Sequence, residues 1–160
     1  MKKRITLLLA VLLALLLHVP QVNADELLVA DGTATNDYVP VYGWYVDQIQ
    51  HSQFIYPAEL LEEMGEGATI SQMQFYCSQT SISWGNAQWV VKVAGTGDAS
   101  FSSAAFKSAD FQTVYTGSLG VTGNLMTVTF STPFVYHGEN LLVDFQSTST
   151  GSYVTSTWLS

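Results

Sequence analysis

Positive charge is what this sequence has least of. Five Lys and Arg stand against 13 Asp and Glu, and three of the five, Lys2, Lys3 and Arg4, are crowded at the N-terminus. Beyond them only Lys92 and Lys107 remain, which leaves the rest of the chain at a formal balance of about −11. A surface of that sign repels a phosphate backbone, so nucleic acid is excluded as a partner. It gains nothing from anionic lipid either. Cysteine is almost absent: a single residue, Cys77, cannot close an internal disulfide. It shares a strand face with Met73 and Phe75, which reads as a buried, inert thiol, and no base or cation adjoins it in sequence to activate it.

Catalytic residue types are equally thin. After the N-terminal segment only His51 and His137 are available as imidazole bases, and both lie in polar, loop-like sequence. No Gly-x-Ser-x-Gly elbow is present, so a nucleophilic triad has no sequence support. Two histidines and one cysteine, widely spaced, do not form a zinc pattern. No carboxylate pair sits in a recognisable hydrolase motif. The expectation is a protein that is not an enzyme and holds no cofactor. Calcium is the one cation left open, because Asp31, Asp37, Asp98 and Asp110 all fall in turns; turn aspartates more commonly cap backbone donors.

What is present begins with a leader. Lys2 to Arg4 form a charged n-region, and Ile5 to Leu17 form an apolar run interrupted only by Thr6, too short for a spanning helix. Val22-Asn23-Ala24 places cleavage between Ala24 and Asp25. Residues 1–24 are thus a predicted signal peptide and 25–160 a single domain, with no membrane insertion once the leader is removed. The destination is export: secretion or the outer cell surface, with the periplasm as the remaining compartment.

From residue 68 onward the pattern is strand and turn. Ile70 to Cys77, Gln88 to Ala94, Phe111 to Tyr115, Leu125 to Phe130 and Asn140 to Phe145 alternate apolar and polar residues between Gly, Asn and Asp turns. In the second of these Trp89, Val91 and Val93 point inward. Glu26 to Ala30 and Phe54 to Tyr56 add short strands before them, and Tyr153 to Trp158 begins another after them. The Ser/Ala-rich connection from Ala99 to Ala109 carries Phe101 and Phe106 as anchors that fold it back. Ala58 to Met64 is the one helical segment, about two turns, with Glu59, Glu62 and Glu63 as its solvated face. No segment recurs at a fixed period. The prediction is all-β: a jelly-roll-like antiparallel β-sandwich with one short helix. The chain stops at Trp158-Leu159-Ser160, inside a strand pattern, so a closing strand is expected beyond it.

The segment richest in functional residue types runs from Asp31 to Tyr56. If it is extended, Tyr38, Pro40, Tyr42 and Trp44 share one side and Val39, Val41 and Tyr45 the other, and Pro40 confines the strand to a sheet edge or bulge. Planar side chains on a rigid edge stack on sugar rings or protein surfaces while offering a polar rim. Tyr42, Trp44 and Tyr45, with Trp84 from the loop Ser81-Ile82-Ser83-Trp84-Gly85-Asn86, are the candidate ligand-binding residues. The competing assignment is that each caps the open end of the core.

Several motifs resemble a known family in their order along the chain. They are Asp31-Gly32-Thr33-Ala34-Thr35-Asn36, Val39-Pro40-Val41-Tyr42, Ser52-Gln53-Phe54-Ile55-Tyr56-Pro57, Ile70 to Tyr76, Phe101-Ser102-Ser103, Val114-Tyr115-Thr116-Gly117, and Thr132 to Leu141. Together they resemble the N-terminal β-sandwich module of large secreted or surface adhesin-like proteins of anaerobic Gram-negative bacteria, often followed by fibronectin type III-like domains. That resemblance implies a jelly-roll-like sandwich without catalytic residues. The expected function is a non-catalytic adhesion or interaction module that contacts an extracellular glycan or protein surface. The alternative is an accessory glycan-binding module of a secreted polysaccharide-degrading enzyme.

Overall fold

A computed structural model describes residues 26–30 and 32–160. The predicted leader, its cleavage site and the calcium candidate Asp31 lie outside the described residues. Among the described residues ten strands form in chain order: β1 Thr35–Asn36, β2 His51–Tyr56, β3 Thr69–Tyr76, β4 Ser81–Ser83, β5 Trp89–Thr96, β6 Gln112–Gly117, β7 Gly120–Thr122, β8 Leu125–Val135, β9 Asn140–Ser147 and β10 Trp158–Leu159. One sheet has the order β2-β9-β5-β6 and the facing sheet β3-β8-β7-β4, while β1 and β10 pair separately. Every pairing is antiparallel. The chain is an all-β sandwich. Its nested pairing of β2 with β9 and β3 with β8 gives it a jelly-roll-like character.

The alternation read from the sequence sets the core. Trp89, Val91 and Val93 of β5 and Met126, Val128 and Phe130 of β8 are buried, as are Phe75 and Cys77. Apolar residues at period two on facing sheets interdigitate in this way because each pleat sends alternate side chains to one side. Aromatic rings fill the centre edge to face: Phe75 lies 5.5 Å from Phe145 at 88°, and Trp84 lies 5.9 Å from Trp89 at 60°. Pairs of this geometry set the positive ring edge against the negative face. Strand β8 also touches the facing sheet through side-chain hydrogen bonds to β6. It runs with β3 up to Thr129, then bulges, and rejoins β3 only at Phe134. Along the bulge Ser131 Oγ donates to Val114 O at 3.1 Å, and Thr132 O accepts from Gln112 Nε2 at 3.0 Å. The two sheets are stitched together along that side.

Several sequence expectations need correction. Glu26 to Ala30 is not a strand, although Leu27 and Val29 still pack against the core. Ala58 to Met64 is not one helix but two 3-10 turns, Ala58–Leu60 and Glu62–Met64. The reason lies between them, where Leu61 is drawn into the core with φ −114° and ψ 3°, which breaks the helical run. Short strands β4 and β7 pair with each other, and sequence periodicity had too few residues to show them. His51 opens β2 rather than lying in a loop, whereas His137 is exposed as expected. Among the described residues no helix is long and apolar enough to cross a membrane.

Tyr56, at the end of β2, sets its ring edge-on to Phe54 at 5.6 Å, and burial pushes its pKa up to about 12. A folded pKa above the ordinary value of about 10 means that the fold favours the neutral phenol. Its contribution is therefore complete below pH 10 and is lost as pH rises from 10 through 12, at a cost of up to roughly 3 kcal/mol. Chemical denaturation as a function of pH should show stability falling over that window. Tyr56→Phe should flatten the fall; an unchanged alkaline limb would show that other groups carry it.

Candidate functional site

The aromatic segment is built as a pinned loop, not as the expected edge strand. Asn36 starts it, its Oδ1 accepting from the backbone of Tyr38 at 3.0 Å and of Val39 at 2.8 Å. This is an Asx turn, in which a short polar side chain replaces a backbone acceptor. The Val39–Pro40 peptide is cis. The loop is then tied down at intervals. Pro40 O accepts from Ser52 Oγ at 2.5 Å, Val41 O accepts from both Ser156 Oγ and Trp158 Nε1 at 2.8 Å, and Val46 O accepts from Gly151 N at 2.8 Å. Gly43 is required where the loop crosses the 154–156 segment: a Cβ there would lie 2.0 Å from the Val154 carbonyl oxygen. Val41 and Val46 fill the core, Gly43 is buried between them, and Trp44 and Tyr45 are left exposed.

Gly43–Tyr45 is a 3-10 turn, with Tyr45 N bonded to Tyr42 O at 3.1 Å. At three residues per turn, positions i and i+3 eclipse. Tyr45 therefore joins Tyr42 rather than opposing it, with ring centroids 5.1 Å apart at a 39° tilt, and Tyr38 lies 5.0 Å from Tyr42 at a 43° tilt. Trp44 turns away and meets Tyr153 edge-on at 5.3 Å and 83°. Tyr38 is 65% exposed, and Trp44 and Tyr45 are each 49% exposed. The Tyr42 phenol is held above its ordinary pKa, first by desolvation and then by the neighbouring Tyr38, Tyr45, Asp37 and Tyr153.

Beside the three tyrosines lies an open cleft of about 410 Å³, lined also by Ile49, by Gln50 to Gln53 and by Phe106. Phe106 comes from the long connection between β5 and β6, which folds back as expected. Phe101 and Phe106 stay exposed, however, and hydrogen bonds do much of the anchoring. Gln53 donates to Lys107 O at 3.0 Å and accepts from Lys107 N at 2.7 Å, and Phe106 lies flat on His51 with centroids 3.7 Å apart. Under this surface is Asp144, whose Oδ2 is 2.7 Å from both His51 Nε2 and Gln53 Nε2, with Lys92 Nζ 3.7 Å from Oδ1. The buried carboxylate orders the outer face of the β2-β9-β5-β6 sheet.

No known protein family, curated protein or solved structure matches this chain.

Of the four candidate ligand-binding residues, the fold brings Tyr42 and Tyr45 together and places Trp44 on the neighbouring surface. Trp84 is a correction. It is 1% exposed and donates from Nε1 to Val154 O at 3.1 Å, so it is a core residue with a satisfied polar edge. Its loop looked open because the residues that cover it, around Gly151 and Val154, are distant in sequence. Tyr38, Gln50 and Phe106 completed the site without being singled out. Tyr38 carried a signal in its spacing from Tyr42, whereas Gln50 and Phe106 carried none. Asp37 accepts from Thr157 Oγ1 at 2.8 Å and Asp98 pairs with Lys107 at 2.6 Å. Among the described residues no three His, Cys, Asp or Glu side chains come together as metal ligands.

Two variants separate the tryptophans. Trp84→Ala should cost about 3–5 kcal/mol of unfolding free energy, as large-to-small changes in a packed core do, and Trp44→Ala should stay within about 0.5 kcal/mol. Urea denaturation reads both, and equal losses would contradict the assignment. Asp144→Ala removes a carboxylate that holds three side chains and should cost about 3–5 kcal/mol by the same measurement; a loss under 1 kcal/mol would show that the cluster does not order this face.

Proposed function

We propose that this protein is a non-catalytic interaction module of an exported bacterial surface protein, and that its contact surface is the aromatic end of the sandwich. The observation that carries this reading is the Tyr38–Tyr42–Tyr45 stack. Two exposed rings, Tyr38 and Tyr45, flank the half-buried Tyr42 on a loop tied to the core at Val41 and Val46. Rigid aromatic area of this kind binds at a low cost in conformational entropy, because the rotamers are set before contact. Trp44 and Tyr153 extend the patch, and such contiguous apolar exposure marks interaction sites on soluble folds. Export is supported by the charged and apolar leader, and the bacterial surface setting by the resemblance to adhesin modules. The mechanism is surface recognition with no covalent step.

The test uses the mature chain coupled to beads and exposed to purified polysaccharides and purified extracellular glycoproteins. A retained macromolecule should be recovered chemically unaltered. The Tyr38/Tyr42/Tyr45→Ala variant should weaken its binding by at least about tenfold, the equivalent of 1.4 kcal/mol, while the melting temperature changes little. Equal retention by the variant, or a cleaved ligand, would refute the reading.

A further inference from the structure

One polar side chain in the cleft is left without a partner by the fold. Gln50 lines the cleft and is 3% exposed, and neither its amide nitrogen nor its amide oxygen makes a hydrogen bond. Its backbone is fully used, with N donating to Ser147 Oγ at 2.8 Å and O accepting from Ser147 N at 2.9 Å. Its neighbours are used as well. Ser52 Oγ is taken by Pro40, His51 by Asp144, and the amide of Gln53 by Lys107 and Asp144. A buried amide without partners is unfavourable, and an apolar side chain of like size would be the more stable choice here.

We infer that the cleft binds a neutral saccharide, with a sugar ring stacked on the tyrosines and a pair of adjacent hydroxyls taken by the Gln50 amide. The inference rests on the proposed interaction role and specifies its ligand. An amide offers a donor and an acceptor side by side, and a vicinal diol offers the same pair in complement. Tyrosine faces suit the C–H face of a sugar ring, and their hydroxyls suit its rim. The cleft lining contains no Asp, Glu, Lys or Arg, so it has no fixed charge with which to hold a phosphate or a carboxylate. The acidic surface around it disfavours anions further. A volume of about 410 Å³ falls within the range of small-ligand sites, about 300–1,000 Å³, and the open shape admits a chain that continues past the bound unit. The amide is shielded from solvent in this conformation, so a change of the Gln50 rotamer accompanies binding.

The experiment titrates the mature chain with a panel of neutral oligosaccharides of gluco, galacto, manno and xylo configuration, followed by calorimetry and NMR. At least one member should bind. Tyr42→Ala and Gln50→Leu should each weaken it by about tenfold or more, and Gln50→Leu should leave the melting temperature equal or raised. Gln50→Met replaces it if the leucine variant folds poorly. Wild-type affinity in the folded Gln50 variant would overturn the inference, since the amide would then serve only the fold. Tyrosine-dependent binding to a glycoprotein that survives its enzymatic deglycosylation would also overturn the saccharide, while leaving the interaction role in place. Absence of any bound oligosaccharide, polysaccharide or glycoprotein would remove both.

Discussion

The carbonyl oxygen of Val41 receives two hydrogen bonds, from the indole of Trp158 and the hydroxyl of Ser156, and the aromatic end of the molecule depends on that meeting. Both donors are buried and lie more than a hundred residues away along the chain. A buried carbonyl with two lone pairs occupied has no reason to move, because either loss would leave a polar group unpaired in the interior. The anchor therefore holds the loop backbone against the core while Trp44 and Tyr45 stay exposed on the turn that follows it. Trp158 reaches this position because β10 bridges to Cys77 at the end of β3 and pairs with β1. The far C-terminal residues thus fix the geometry of the N-terminal aromatics.

The outer face of the β2-β9-β5-β6 sheet follows a different logic. Strand β9 is buried on both sides: Leu141, Val143 and Phe145 enter the sandwich, Leu142 is also buried, and Asp144 is tied through Gln53 to the returning connection. A buried carboxylate needs partners, and His51, Gln53 and Lys92 gather around this one. Gln53 in turn holds Lys107, and His51 carries Phe106, which completes the cleft. Packing explains one half of the site and a polar network explains the other.

Legibility in the sequence divided along the same line. Period-two alternation in the long strands was plain, since burial on one face imposes it directly, and Trp89, Val91 and Val93 fell where they were expected. The sandwich followed from it. The segment from Tyr38 to Tyr45 carried the right residues with the wrong geometry. Its alternation suited a strand, but Gly43 allows the close crossing with the 154–156 segment that turns the chain into a 3-10 helix, and no local pattern encodes that crossing. Trp84 was misplaced for a related reason, because its cover comes from residues some seventy positions later. Gln50 and His51 looked like polar loop residues. Their roles arise only from Ser147 and Asp144 on the partner strand.

The two lysines carry a last consequence. Beyond the N-terminal segment they are the only residues after which a trypsin-like protease cleaves. Lys92 sits in β5, hydrogen-bonded between β6 and β9, and cannot enter an extended active-site groove without dismantling the sheet. Lys107 lies in a surface connection, but both its N–H and its carbonyl are held by Gln53 and its ammonium by Asp98. Digestion at either bond must wait for local opening, so the folded module is suited to persist in protease-rich surroundings.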